Sequence, residues 1–383
     1  MENMQTNRNP LESEPLTKLL LKYSVPTTLT LMVNYIYNIA DQIFVGQGVG
    51  ITGMAAINVA FPLSILVNAV SLLLGDGCAA NVSLCLGRRE QENANKIFGQ
   101  AVTWIVVCGI ALAFICGIFA PHIVTLFGTT NTAYGESLAY MRVIAIGIPF
   151  QLICPAFTAM IRADGSPQYT MKCMMAGAVV NIILDPVFIF GLKMGVVGAG
   201  IATVIGEMAA GILCLLYLRR LQSVQLEKAA LRPTWPVLKM ILQLGFPSLL
   251  TQGLTALVQI VLNNLMRVYG EASIYGSDMA LSAYGMMMKV YQLAHSMFVG
   301  VSSAIQPING YNFGAKNYQR VRQTYRLATG IAVVISAAWW LVYMVFSRQI
   351  AGLFVAENQL YFDCTQHCFR LYMMAFFLYG VHM

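Results

Sequence analysis

Long apolar runs, separated by short polar islands, constrain the fold of this chain more than any other feature. A helix needs about 20 apolar residues to cross the hydrocarbon core of a bilayer. The chain is 58% hydrophobic and only 10% charged, whereas a soluble domain carries about 25% charged residues. The sequence therefore predicts an all-α polytopic membrane protein. The ten predicted spans cover about 17–45, 54–86, 97–119, 138–161, 170–191, 196–218, 238–266, 279–311, 327–346 and 364–383.

Lysine and arginine predict the orientation of these spans. With the N-terminus in the cytoplasm, the cytoplasmic segments hold 17 Lys and Arg residues and the outer segments hold 3. Loops rich in these residues stay in the cytoplasm. The net charge of +7 is spread over the loops, without the basic arm that would predict a nucleic-acid partner. The nine cysteines are scattered without a CxxC pair, which predicts packing residues rather than a metal centre.

The two halves of the chain resemble each other in sequence. KYSVPTTL at 22–29 matches QLGFPSLL at 243–250, and SLCLGRRE at 83–90 matches GYNFGAKN at 310–317. Repeats that start on the same side of a membrane are parallel, related by an axis along its normal. We therefore predict two six-helix lobes. The predicted divisions are a cytoplasmic tail at 1–16, an N-lobe at 17–218, a cytoplasmic linker at 219–237 and a C-lobe at 238–383.

The repeat also predicts that the second lobe is incomplete in this chain. At the repeat offset of 228, Met383 corresponds to about Pro155, and the first repeat continues beyond that point for two more spans. We therefore expect the second lobe to stop inside its fourth span, and the complete protein to have six spans in each lobe. A native ten-span protein is the alternative.

Three polar residues of the first repeat are predicted to lie at one depth, roughly 8–11 Å below the outer surface. They are Asp41 in span 1, Asp185 in span 5 and Thr203 in span 6, and Asn181 lies four residues before Asp185 in span 5. A charge at the bilayer centre costs roughly 2.5–3.5 kcal/mol, so such residues usually face a cavity and serve a function. Asn181 and Asp185 are four residues apart and share one helix face. Pro186 removes a backbone donor and bends span 5.

This group of oxygen atoms predicts a binding site for a proton or for Na⁺. Burial disfavours the charged form of a carboxyl group, so a buried acid can bind and release a proton as its access to water changes. Carboxylate, amide and hydroxyl oxygens suit a small hard cation equally well. The alternative is that Asp41 and Asp185 only hold the bundle together, through hydrogen bonds and one shared proton. Asp76 and Glu207 are further candidates for a coupling network.

The second repeat carries amides and methionines where the first carries acids. Its first span, at about 238–266, contains no Asp or Glu. Methionine adapts to ligands of many shapes, so we predict a permissive substrate cavity. Packing and lipid contact are the alternative for each methionine taken singly. The candidate cavity residues are Gln252, Gln259, Met286, Met287, Lys289 and Gln306.

Five motifs follow one another through the chain. They are YNIADQIFVGQ, LCLGRRE, PFQLICPAFTAMIRADGSP, NIILDPVFIFGLKMGVVGAGIATVIGE and QPINGYNFGAKNYQRV. In this order and spacing they resemble the multidrug and toxic compound extrusion (MATE) family, in its prokaryotic DinF/MepA-like branch. The resemblance covers about 15–383. It implies two six-helix lobes that face each other across a central cavity, and drug export in exchange for H⁺ or Na⁺.

The resemblance also implies roles for single residues. The cation site of the family's first lobe uses an acid in span 1, an Asn and an Asp four apart in span 5, and a Thr in span 6. Those positions match Asp41, Asn181, Asp185 and Thr203 here. Some family members also use acids in spans 7 and 10. Span 7 of this chain has none and its span 10 is expected to be incomplete, so coupling in the first lobe is favoured.

The sequence thus favours a cation-coupled antiporter, not an enzyme, that exports amphipathic and often cationic drugs by alternating access. No GxxxxGK[ST] loop is present, so ATP is not the expected fuel. We expect a monomer in a bacterial inner membrane, with drugs and lipid as partners and no cofactor besides the coupling ion. The alternative is a flippase for a lipid-linked precursor, whose cavity would be strongly cationic. Only Arg142, Lys289 and Arg370 fall within spans, which argues against it.

Overall fold

The computed structural model describes residues 10–49, 51–127, 134–226, 228–274, 277–352 and 359–382. Regular structure within these ranges is helical, without a strand, which confirms the predicted all-α class. The α-helices are α1 (Pro10–Ser13), α2 (Leu16–Gly48), α3 (Ile51–Gly87), α4 (Gln91–Leu126), α5 (Tyr134–Ala163), α6 (Pro167–Pro186), α7 (Gly195–Leu216), α8 (Trp235–Glu271), α9 (Ser277–Gly314), α10 (Tyr318–Gly352), α11 (Gln359–Tyr372) and α12 (Tyr379–His382). Short 3-10 helices cover Tyr217–Arg219, Lys228–Leu231 and Phe376–Leu378.

The predicted spans correspond closely to these helices. The first nine spans match helices α2 to α10 in order. Six segments of the described part are long and apolar enough to cross a membrane, which confirms a polytopic membrane protein. These segments are Ala60–Gly87, Gln91–Leu126, Tyr134–Ala163, Pro167–Gly191, Gly195–Arg219 and Tyr318–Ile350.

The tenth predicted span, at 364–383, differs from the expected continuous helix. Helix α11 ends at Tyr372, and a 3-10 turn separates it from α12. In this turn the N–H of Phe376 donates to the carbonyl three residues earlier, at 3.0 Å. The tighter winding lets the ring of Phe376 pack 5.2 Å from that of Tyr343 and 5.8 Å from that of Phe298. The 3-10 turn therefore interrupts a helix that hydropathy predicts as continuous, and Phe376 packs against other aromatic rings at this turn.

Helix α6 changes its winding at Pro186. The α-helix ends at this residue, and Val187–Gly191 continues as a π-helix. Because Pro186 has no N–H, the carbonyl of Ile182 loses its usual helical donor. Further along, the N–H of Leu192 donates to the carbonyl of Val187, five residues earlier, at 2.9 Å. The predicted disturbance of span 5 is therefore present as a change of helix type, a feature frequent at functional sites.

Contacts divide the chain into two compact units. Unit 1 consists of 1–14, 33–253 and 306–318, and unit 2 of 15–32, 254–305 and 319–383. Large, fully buried side chains fill the interior of unit 1, among them Phe98, Ile105, Met141, Ile148 and Phe157. Unit 2 has an aromatic core that includes Phe298, Tyr343, Phe369 and Phe376. The tail, lobe and linker boundaries expected from the repeat remain a prediction.

Glycines let α3 approach other helices of unit 1 very closely. A side chain at Gly77 would collide with the backbone carbonyl of Ile241 in α8, and one at Gly87 with that of Tyr311 in α9. Small residues allow membrane helices to pack backbone against backbone, where dispersion and weak polar contacts stabilise them. These contacts fix α3 against the N-terminal part of α8 and the C-terminal part of α9.

A buried acid after α5 fixes the start of the predicted linker. Asp164 is only 1% exposed. Its Oδ2 accepts hydrogen bonds from the hydroxyl of Tyr217 at 2.7 Å and the N–H of Gln222 at 2.8 Å. Its Oδ1 accepts from the N–H groups of Ser223 at 2.7 Å and Val224 at 3.2 Å. The chain that leaves α7 is therefore attached to the end of α5.

Candidate functional site

The predicted cation site lies where helices α6 and α7 approach closely. A side chain at Gly177 would meet the carbonyl oxygen of Gly206 at 2.8 Å, and one at Gly206 would meet the carbonyl oxygen of Gly177 at 2.8 Å. Paired glycines of this kind let two membrane helices touch through their backbones. Because a side chain at Gly206 would also lie 3.0 Å from Cβ of Asn181, the same contact places Asn181 of α6 against α7, next to Thr203.

A small apolar cluster attaches α2 to the same region. Val45 of α2 packs with Ile189 of the π-helical segment and Ala199 of α7, all three buried. Asp41 lies four residues before Val45 and therefore shares its helix face. The cluster holds the carboxyl group of Asp41 next to that of Asp185, which lies four residues before Ile189.

The four predicted side chains come together at this place. Nδ2 of Asn181 lies 3.4 Å from Oδ1 of Asp185 and 3.5 Å from Oγ1 of Thr203. The hydroxyl of Thr203 donates to the carbonyl of Ala199 at 3.0 Å. The carboxyl groups of Asp41 and Asp185 lie close enough to interact electrostatically. Asn181 is 3% exposed and Asp185 is fully buried.

Three buried oxygen atoms of this group lack a hydrogen-bond partner among the described residues. They are Oδ1 of Asp41, Oδ1 of Asn181 and Oδ2 of Asp185. Leaving a buried acceptor unpaired costs roughly 1–3 kcal/mol. The contacts of 3.4 and 3.5 Å around Asn181 are also long for N–H···O hydrogen bonds, which are usually about 2.9 Å. The arrangement can therefore accept a proton or a small cation without breaking strong internal bonds.

Glu207 and Asp76, the candidates for a wider coupling network, have other surroundings. Glu207 lies one helical turn after Thr203, is half-buried, and makes no hydrogen bond to a described residue. The Oδ2 atom of Asp76 accepts a hydrogen bond of 2.7 Å from the hydroxyl of Ser248. Arg162 attracts the carboxylate of Asp76 electrostatically. The membership of both acids in a coupling network stays a prediction.

The candidate cavity residues of the second repeat have differing surroundings, and a cavity formed by them stays a prediction. Gln306 donates from Nε2 to the backbone carbonyl of Asp76 at 3.1 Å. Gln252 is half-buried on α8. Met287 is 1% exposed and belongs to the aromatic core of unit 2, so it does not line an open surface in this structure. The side chains of Gln259, Met286 and Lys289 lie outside the described residues.

Two polar residues of unit 1 have roles that sequence reasoning missed. Arg162 directly follows the predicted span 138–161, but it lies within α5 and is only 7% exposed. Asp164 carries four hydrogen bonds from the segment after α7. The available signal was the stretch IRADGSP, in which an arginine and an acid follow directly on a long apolar run. A charged pair at that place predicts polar partners from another segment, without identifying them.

Comparison with solved structures agrees with this architecture. A structure described as an outward-facing conformation of a multidrug resistance MATE family transporter of the MOP superfamily superposes with a TM-score of 0.89 at 24% identity, covering 97% of this chain and 81% of that one. A MOP superfamily transporter from Pyrococcus furiosus, whose binding pocket is described as having reverse polarity, gives 0.86 at 23% identity, covering 97% and 84%. At this level of identity the likeness shows a shared fold.

Comparison of sequences shows the family. The chain is 26% identical over 369 residues to "Probable multidrug resistance protein YoeA" of Bacillus subtilis, covering 93% of this chain and 78% of that protein. It is 25% identical over 350 residues to "Multidrug export protein MepA" of Staphylococcus haemolyticus, covering 91% and 76%. The MatE family model matches residues 26–187 and 247–383, most of the chain. The chain therefore belongs to the MatE family of membrane transporters, which are not enzymes.

Proposed function

We propose that this chain exports amphipathic, often cationic drugs in exchange for H⁺ or Na⁺, and that Asp41, Asn181, Asp185 and Thr203 bind the coupling ion. The observation that carries this proposal is the set of three buried oxygen atoms without a hydrogen-bond partner among the described residues. They belong to side chains of α2 and α6, two helices that approach each other at this site, beside the adjoining apolar cluster. A bound ion would satisfy these oxygens and link the two helices.

Either ion suits the chemistry of the group. Two carboxyl groups this close cannot both be ionised without strong repulsion, so one shared proton stabilises the pair of Asp41 and Asp185. A hard cation such as Na⁺ prefers oxygen ligands. Rotation of the Asn181 amide would turn its Oδ1 toward such a cation, beside the carboxylates and the hydroxyl of Thr203. The long contacts of Asn181 leave room for this rotation.

The names of the two bacterial relatives support drugs as the substrate class. The acids of the candidate site leave negative charge inside the membrane, which favours cationic substrates. We place the protein in a bacterial cytoplasmic membrane as a monomer. Its N-terminus lies in the cytoplasm in this proposal, because 17 of its Lys and Arg residues are in segments on that side and only 3 on the other.

The proposed cycle follows from the position of the site. The ion would bind beside Pro186, where α6 changes from an α-helix to a π-helix. Ion binding there favours one packing of α2 against α6 and drug release to the outside, and drug binding from the cytoplasm favours the other. The membrane potential supplies about 2.3 kcal/mol per charge per 100 mV for this exchange.

Transport by the purified protein in proteoliposomes tests the proposal. Ethidium movement is followed under a pH gradient and, separately, under a Na⁺ gradient, for the wild type and for Asp41→Asn, Asp185→Asn and Asp363→Asn. We expect one gradient to drive movement, with a loss of about tenfold or more in the first two variants. Asp363→Asn is the matched control, because Asp363 is an exposed acid at the start of α11.

Two results would contradict the proposal. Gradient-driven movement that persists in Asp41→Asn and Asp185→Asn would remove the site assignment and leave these acids a structural role. Absence of ethidium movement under both gradients, with the protein demonstrably folded, would contradict drug antiport. That second result would favour the flippase, for which movement of a fluorescent lipid with a pyrophosphate headgroup is the matching assay.

A further inference from the structure

A chain of three hydrogen-bonding side chains lies inside unit 2, and none of the residues of the candidate cation site belongs to it. The hydroxyl of Tyr291 in α9 donates to the hydroxyl oxygen of Tyr379 in α12 at 3.0 Å. The hydroxyl of Tyr379 lies 2.9 Å from Nδ1 of His295, one turn further along α9. We propose that His295, Tyr379 and Tyr291 form a second proton-binding site, which takes up and releases one proton during the transport cycle. The exchange during transport rests on the function proposed above, whereas the binding of a proton does not.

The hydrogen bonds of this chain can be satisfied in both charge states. With a neutral imidazole, the hydroxyl of Tyr379 donates to Nδ1 and accepts from Tyr291. When Nδ1 carries a proton it donates to Tyr379 instead, and the hydroxyl of Tyr379 can turn to donate to Tyr291. A hydroxyl group both donates and accepts, and a histidine nitrogen changes role with its proton. Proton uptake therefore exchanges donor and acceptor in both hydrogen bonds, and both bonds remain formed.

The aromatic rings around His295 can stabilise its charged form. The ring of Tyr291 stacks on the imidazole, with centroids 5.5 Å apart and planes 19° from parallel. The ring of Tyr379 stands at its edge, 6.1 Å away and at 66°. A cation against the face of an aromatic ring is attracted by the negative charge of that face. This attraction replaces the counter-charge that an acid would supply.

The spans of the second repeat offer no acid that could supply this counter-charge to His295. The predicted spans 7 to 10, at about 238–266, 279–311, 327–346 and 364–383, contain no Asp or Glu. Tyrosines supply the titratable groups that face the site: Tyr291 from α9, Tyr343 from α10, Tyr372 from α11 and Tyr379 from α12. Among the described residues no charged side chain acts on His295. Of the three hydrogen-bonded side chains, the imidazole of His295 is the one that can bind a proton and become a cation.

The position of His295 suits exchange of a proton across the membrane. It lies near the middle of α9, which runs from Ser277 to Gly314, and sites for coupling ions in transporters lie near the bilayer midplane. His295 is half-buried rather than sealed in the core. Its hydrogen-bond partner Tyr379 lies in the short helix that follows the interruption of the tenth predicted span. A change in these bonds can therefore alter how the end of the chain packs on α9.

Nuclear magnetic resonance of labelled histidine tests proton binding directly. The chain has four histidines, at 122, 295, 367 and 382. The variant His122→Gln/His367→Gln/His382→Gln, labelled with ¹⁵N-histidine, reports on His295 alone. We expect its ring signals to titrate as one step over the pH range in which the protein stays folded. We also expect Tyr379→Phe to move the midpoint, because the phenylalanine cannot exchange hydrogen bonds with Nδ1.

Ethidium binding at several pH values tests the link to transport. If ethidium binding is linked to one proton at His295, this residue contributes a change of up to about tenfold in ethidium affinity per pH unit. His295→Gln should lose that part of the pH dependence. His367→Gln is the matched control, since His367 is exposed on α11, and its pH profile should equal that of the wild type.

The two readouts separate the possible failures. An imidazole signal that stays neutral over the whole range overturns the proton site, whatever the protein transports. A titrating signal with the same ethidium profile in His295→Gln and the wild type overturns its role in the cycle. If ethidium neither binds nor moves, drug export fails, and the titrating signal still supports the proton site.

Discussion

At the scale of single residues, Asp164 and Asp185 are two buried acids with opposite surroundings. Both oxygens of Asp164 accept hydrogen bonds of 2.7–3.2 Å, three of them from backbone N–H groups. Asp185 has one long contact to Asn181 at 3.4 Å and one oxygen without a partner among the described residues. A carboxylate whose oxygens are all paired holds a structure together, whereas one with a free oxygen can bind something further.

Asp164→Asn should destabilise the fold. The amide replaces one accepting oxygen with an NH₂ group that faces two donors, and the lost charge weakens the remaining bonds. We expect a loss of about 2–4 kcal/mol in the free energy of unfolding. Thermal stability in detergent, measured as the fraction that stays monodisperse after heating, reports the change. Asp363→Asn should match the wild type because Asp363 is exposed. Equal stability of all three proteins would contradict the anchoring role of Asp164.

At the scale of helices, glycine positions decide how closely α3 and α8 pack. A side chain at Gly245 of α8 would collide with the backbone carbonyl of Leu73 in α3. At Gly253, two turns further along α8, an added Cβ would meet no described atom within 4 Å. The same residue type thus has two uses in one helix. At the first position glycine is required by the contact, and at the second an alanine is compatible with the surrounding space.

The pair Gly245→Ala and Gly253→Ala tests this difference. Gly245→Ala should force α3 and α8 apart and lower thermal stability in detergent, since neither backbone can yield. Gly253→Ala should be neutral or raise stability slightly, because alanine is favoured over glycine in a helix by about 1 kcal/mol. Equal effects of the two substitutions would mean that the backbone contact between α3 and α8 does not form.

At the scale of the whole molecule, several contacts of unit 1 lie at the end that carries the basic loops. A side chain at Gly314 of α9 would collide with the carbonyl of Leu84 in α3, and one at Gly87 with that of Tyr311. Asn312 of α9 also donates to the carbonyl of Leu11 in α1 at 3.1 Å. If drugs enter from the cytoplasm, as we propose, these contacts must open during each cycle.

Two native cysteines can report this opening. Cys85 lies beside Leu84 on α3, and Cys116 lies on α4; each is 5% exposed. In two variants, one that keeps Cys85 and one that keeps Cys116 as its single cysteine, ethidium should speed maleimide labelling of Cys85 and leave that of Cys116 unchanged. The rate is measured by mass spectrometry of the intact protein. If the labelling rate of Cys85 does not change with ethidium, in protein that transports ethidium, then α3 and α9 stay together throughout the cycle.

The sequence by itself determined the helical membrane class, the place of most helices and the group around Asp185. The lipid environment fixes the class and the helices, because a span must satisfy its own backbone hydrogen bonds and present apolar side chains. Each span is then visible in a local stretch of about 20 residues. Asn181 and Asp185 could be assigned to one helix face because they are four residues apart within a single span. The depth of Asp185 relative to Asp41 and Thr203 followed from counting residues along each span.

Only the tertiary structure decided which distant side chains meet. Asp164 binds residues 53 to 60 positions away, and Ser248 reaches Asp76 over 172 positions. His295 meets Tyr379 across 84 positions, after a turn that hydropathy does not predict. Met287, expected in a cavity, belongs to a packed core. These outcomes depend on crossing angles and on single glycine contacts between helices, and no local pattern of apolar and polar residues encodes them.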